Sequence, residues 1–116
     1  MNFPKRGEIY YVNFDPTTGV EIRKIRPVLI IQNDIGNMYS QATIVAAITS
    51  TPREPHPYEV HIKSGEGGLA KDSLILLNQI RTIDKRRLGK KIGTILSQKM
   101  QEVNEALKIS LGMLEV

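Results

Sequence analysis

"PVLIIQNDIGNMYSQATIVAAIT", residues 27–49, decides the fold class. PVLIIQ (27–32) and ATIVAAIT (42–49) are apolar at consecutive positions rather than alternate ones, as strands covered on both faces are. NDIGN (33–37) reads as a turn between them. If the two strands pair as an antiparallel hairpin, the end of the second lies beside the start of the first, at one rim of the sheet.

Outward from this pair, the segments are short. GEIYYVNF (7–14) is β-branched and aromatic, and DPTTG (15–19) ends it with turn chemistry. Residues 15–26 form a long polar loop. STPREPHP (50–57) holds three of the six prolines, so it is a second long loop and not a central strand. YEVHI (58–62) alternates like a strand, and SGEGG (64–68) turns the chain. SLILLNQIRTI (73–83) reads as two short strands or one bent strand, with a helix as the competing assignment.

The period changes at the C-terminus. From Ser97, a candidate N-cap, apolar residues fall at Met100, Val103, Leu107, Leu111 and Leu114, one stripe of a helix. The stripe packs on the sheet or binds a partner. Short strands followed by a terminal helix predict a mainly β fold with helices: a small, strongly bent sheet or partly closed barrel, one domain over residues 1–116. Function is expected on the two polar loops.

A chain of 116 residues that is 41% hydrophobic can bury one core, which argues against disorder. Its net charge of +4 suits a polyanionic partner, although a mildly basic soluble protein has the same composition. There is no cysteine, hence no disulfide, thiol nucleophile or cysteine-based metal site. No apolar run suits a signal peptide or a membrane span, so a cytoplasmic protein without a membrane partner is expected.

Positive charge crowds the entrance of the first buried strand in GVEIRKIRP (19–27). Pro27 biases Arg26 toward extended geometry, so Arg26 stands on a stiff stem while Arg23 and Lys24 lie in the loop. A guanidinium there matches phosphate oxygens with a planar fork of donors. A surface salt bridge is the alternative reading. Thr49, at the end of the next strand, becomes a neighbour of Arg26 if the hairpin forms. Alone it is an ordinary strand residue. His56 and His61 share no partner motif or metal-ligand spacing, and no phosphate loop or nucleophile elbow is present.

RGEIYYVNFDPTTGVE, RPVLIIQNDIGN, TIVAAITS, LLNQIRTIDKRRL and VNEALKISLG together resemble the MazF/PemK family of toxin endoribonucleases, in its Gram-positive branch. The stretches cover nearly the whole chain in the family's order. The resemblance implies a small SH3-like β-barrel of CcdB/PemK type and a homodimer. It implies metal-independent, sequence-specific cleavage of single-stranded RNA without a cofactor, held in check by an acidic MazE-like antitoxin. The family's catalytic arginine and threonine fall on Arg26 and Thr49, and a glutamate implicated in some members falls on Glu21. Where many members carry small residues before the arginine, this chain has IRKI (22–25).

For such an enzyme, Arg26 suits the charge developing on phosphorus, and Thr49 can hydrogen-bond the same oxygens. Glu21 either takes a proton or orients RNA. Gln79 and Asn33 are candidate RNA contacts or structural hydrogen bonders, and Arg23 and Lys24 attract RNA or antitoxin. Two rivals stand beside this reading. A gyrase-poisoning toxin of CcdB type depends on a tryptophan near its C-terminus, and this chain has none. A non-catalytic RNA-binding barrel commonly uses aromatic platforms, for which only two Phe and four Tyr are available.

Overall fold

The computed structural model describes residues 2–14 and 25–116. Its centre is the expected hairpin: β2 (Ile25–Ile30) pairs antiparallel with β3 (Ala42–Thr49), Val28 opposite Ala47 and Ile30 opposite Val45. Both strands are covered on both faces. Leu29 and Ile48 enter one cluster with Ile9, Ile62, Ile75 and Leu77, whereas Val28, Ile30 and Val45 enter a second with Val12 and Ile83. Consecutive apolar residues in 27–30 and 44–48 thus serve two cores.

The other strands are β1 (Glu8–Asn13), β4 (Glu59–Ile62), β5 (Ser73–Asp84) and β6 (Leu88–Thr94). The sheet order is β4-β5-β3-β2-β1-β6, and every neighbouring pair is antiparallel. Close backbone contact brings the two ends of the sheet together. A Cβ on Gly68, in the turn after β4, would lie 2.3 Å from the Ile92 carbonyl oxygen, and one on Gly93 would lie 2.5 Å from that of Gly67. Only glycine permits that approach, and it bends the sheet into a partly closed barrel.

The expected turn at 33–37 is a short helix, α1 (Asp34–Tyr39). Asn33 caps it by accepting the Gly36 N–H at 2.7 Å. Asn37, wholly buried, ties the helix to both central strands. It accepts the Thr43 hydroxyl at 2.7 Å and the Gln32 amide at 3.0 Å, and donates to the Gln32 carbonyl at 2.9 Å. Two asparagines in polar roles made the segment look like a turn.

Segment 73–83 is one strand with a break. Ala46 pairs with Ile80 but Ala47 pairs with Leu76, so Leu77, Asn78 and Gln79 have no rung on β3. Leu77 turns inward and is fully buried, while Asn78 and Gln79 are exposed. The terminal helix α2 (Ser97–Ser110) packs on the sheet through Val103 and Ala106, with Met100 and Leu107 alongside. Leu96, not Ser97, occupies the cap position, and Leu111 and Leu114 lie beyond the helix, exposed. Near its end, the Ser110 hydroxyl donates to the Leu77 carbonyl at 2.7 Å, bracing the bulge from below. No helix among the described residues is long and apolar enough to cross a membrane.

Candidate active site

Stepping two residues along each strand from Val28 and Ala47 carries Arg26 opposite Thr49. Hydrogen-bonded pairing stops before this position, which leaves both side chains at the rim. They line a cleft of about 650 Å³, a size that holds a small ligand. Of the described residues lining it, three are arginines (Arg26, Arg53 and Arg81) and none is acidic. Phosphate groups suit such a wall.

Each side chain has a local reason to be there. Arg26 precedes Pro27 in the first residues of β2 and is exposed; its Nη1 donates at 3.3 Å to the Ile25 carbonyl. Among the described residues no carboxylate pairs with it. The Thr49 hydroxyl is 3.1 Å from that of Thr51, so one of the two protons is left for a ligand in the cleft. Gln79 lines the cleft as the last of the three bulged residues of β5.

Arg53 comes from the proline-rich loop. Its guanidinium donates twice to Glu59, at 2.7 and 2.9 Å, and the Glu59 side chain is only 4% exposed. The His56 N–H adds a third hydrogen bond to the carboxylate at 2.9 Å. Hydrogen bonding from Arg53 holds the Glu59 carboxyl below its ordinary pKa against the opposing effect of burial. A loop held by this pair keeps its arginine in place.

The remaining expected residues separate. Asn33 lies beyond the other end of β2 from Arg26, engaged as the α1 cap, and does not line the cleft. Glu21, Arg23 and Lys24 lie outside the described residues. The His56 ring stacks on Tyr58 at 5.4 Å, and His61 stands 4.0 Å from Asp72 in the adjoining groove. Arg53, Arg81, Thr51 and Phe14 were not singled out from sequence. The QIRT stretch carried Arg81 in view, but nothing in its local pattern says which way a bulged strand aims it.

The chain is also similar to known proteins over nearly its whole length. The profile of the PemK-like, MazF-like toxins of type II toxin–antitoxin systems matches residues 5–111. The chain is 47% identical over 112 residues to endoribonuclease EndoA of Bacillus subtilis, covering 96% of this chain and 97% of that protein. It is 49% identical over 110 residues to endoribonuclease MazF of Staphylococcus saprophyticus, covering 94% and 92%. Among solved structures it resembles an endoribonuclease from a mycobacterial species. That match has a TM-score of 0.80 at 26% identity and covers 97% of this chain and 95% of that one.

Proposed function

The chain belongs to the PemK-like, MazF-like toxins of type II toxin–antitoxin systems, and from that premise we propose that the cleft between β2, β3 and β5 is its RNA-cleaving site. The chain is an endoribonuclease, as its Bacillus and Staphylococcus relatives are named. One observation carries the site assignment. A guanidinium and a hydroxyl from adjacent strands, Arg26 and Thr49, line one space that holds further arginines and, among its described lining residues, no acid.

The reaction begins with a ribose 2′-oxygen beside the phosphodiester to be cut. The 2′-oxygen forms a bond to phosphorus, the bond from phosphorus to the 5′-oxygen breaks, and the products are a 2′,3′-cyclic phosphate and a 5′-hydroxyl. Negative charge rises on the non-bridging oxygens as the phosphorane forms. Arg26 stabilises that charge, because a fixed donor aimed at developing charge is the largest ordinary catalytic effect. The Thr49 hydroxyl hydrogen-bonds the same oxygens. The proton of the 2′-hydroxyl goes to a base, for which Glu21 is the candidate, and the 5′-oxygen gains a proton on leaving. Arginine is a poor proton carrier at neutral pH, so Arg26 acts by charge.

Single-stranded RNA is the expected substrate, since unpaired bases expose the edges that a sequence reader needs. An acidic antitoxin suits the same arginines. A homodimer is supported by exposed apolar side chains: Ile35 and Tyr39 on α1, and Leu111 and Met113 after α2. We place the protein in the cytoplasm, where its RNA substrate is.

The deciding experiment incubates the purified chain in EDTA with two versions of one RNA, all-ribose and with a single 2′-deoxy residue at the cut. Discrete cleavage of the first alone, with a cyclic phosphate end, is expected. Cleavage of the deoxy-substituted position would reject this mechanism.

A further inference from the structure

Arg81 is the third arginine of the cleft, and no step of the cleavage assigns its side chain a role. It leaves β5 just after the bulge, and its guanidinium carbon sits over the Phe14 ring, 4.6 Å from the centroid. That is a cation–π distance. The ring has a firm seat: Phe14 is half-buried and packs against the apolar cluster formed by Val12, Val28, Ile30, Val45 and Ile83. Arg81 itself is exposed. Among the described residues no carboxylate and no hydrogen bond holds its guanidinium, whereas Arg53 is tied to Glu59 and Arg86 to Asp84. The aromatic ring positions Arg81 while its donors remain free.

Gln79 lies two residues earlier on the same strand, exposed in the same cleft, and its amide has no partner among the described residues. An amide offers one donor side and one acceptor side. Nucleobases in single strands are held by stacking on aromatic rings or guanidinium planes and are read at their edges by such groups.

Resting on the ribonuclease reading above, we propose that Arg81, seated on Phe14, is a stacking platform for one nucleobase flanking the cut. Gln79 reads that base's edge. This subsite sets one position of the RNA sequence the enzyme accepts, and it contributes binding and discrimination rather than charge stabilisation at phosphorus. The competing role, a loose phosphate contact, makes a different prediction. Phosphate contacts weaken binding evenly across sequences and tolerate lysine.

The test uses a pool of RNAs randomised around a cut site, treated with the wild-type chain, Arg81→Lys and Phe14→Leu, followed by sequencing of fragment ends. Phe14→Leu keeps the apolar packing and removes the ring face, while Arg81→Lys alters only an exposed side chain and keeps the charge. Preference at one position next to the cut should fall about tenfold in both variants, with other positions unchanged. An abasic residue at that position should slow the wild-type chain about tenfold and leave both variants almost unaffected.

Equal loss at every position, or full function in Arg81→Lys, would overturn the platform alone. Wild-type cuts that persist in Arg26→Ala would overturn the active-site reading and the platform with it.

Discussion

Arg53 and Glu59 are joined by two parallel hydrogen bonds, Nη1 to Oε1 at 2.7 Å and Nη2 to Oε2 at 2.9 Å, which fasten the proline-rich loop to the start of β4. Glu59 is nearly buried, so its ionised form depends on that guanidinium.

A pH dependence follows from this pair. The Glu59 carboxyl in the folded chain titrates below its ordinary value, chiefly through hydrogen bonding from Arg53. A carboxylate with a lowered folded pKa adds stability above its unfolded pKa and loses it as pH falls through the folded one. Glu59→Gln should therefore lower the melting temperature at pH 7, and the gap from wild type should close as the pH falls through and below the ordinary carboxylate range. Thermal melts of both chains from pH 7 to pH 3 measure it; a constant gap would contradict the assignment.

The two residues at the rim should separate by magnitude. Arg26→Ala should lower kcat/KM by at least about 100-fold, as losing one preorganised donor to a developing oxyanion does. Thr49→Val should lower it about tenfold, the scale of one neutral hydrogen bond with nothing else disturbed. Neither should shift stability by more than about 0.5 kcal/mol, since Arg26 is exposed and valine matches threonine in shape. Single-turnover cleavage together with urea melts checks both halves.

Asn37 should matter for stability and not for chemistry. Replacing it with alanine leaves the buried Thr43 hydroxyl without its acceptor, and the Gln32 amide with only the Ala42 carbonyl. The expected loss is about 2 kcal/mol, the cost of stranding buried polar groups. Cleavage measured well below the melting temperature should be unchanged, because α1 lies away from the cleft.

The turn after β4 offers a matched pair of glycines. Gly65 and Gly68 both have positive φ, at 93° and 82°, but a Cβ on Gly65 meets nothing within 4 Å whereas one on Gly68 meets the Ile92 carbonyl. Gly65→Ala should cost about 1 kcal/mol from backbone strain alone. Gly68→Ala should cost clearly more, since β6 must also move. Equal costs would mean that contact between turn and edge strand does not close the barrel.

Local patterns explain why much of this protein was legible. Unbroken apolar runs at 27–32 and 42–49 marked the central strands, prolines at 52, 55 and 57 marked a loop, and spacing at 100, 103 and 107 marked a helix. Arg26 and Thr49 could be set side by side because an antiparallel hairpin fixes its own register. By contrast, β6 reads LGKKIGT, mostly exposed and without alternation, and was not assigned, since its pairing with β1 comes from the far end of the chain. The helix at 34–39 was misread as a turn because its asparagines serve polar roles, Asn33 as the cap and Asn37 as a buried partner of Thr43 at the start of the next strand.

By itself, the sequence determined every strand but β6, which family the chain joins, and that an arginine meets a threonine at one rim. Tertiary structure alone decided that Arg53 and Arg81 share the cleft with them, and it sets Gln79, a candidate RNA contact from the sequence, in the same cleft. Alternation and capping act over a few residues, whereas the three-residue bulge in β5 is set by its pairing with β3, about thirty residues away in the chain.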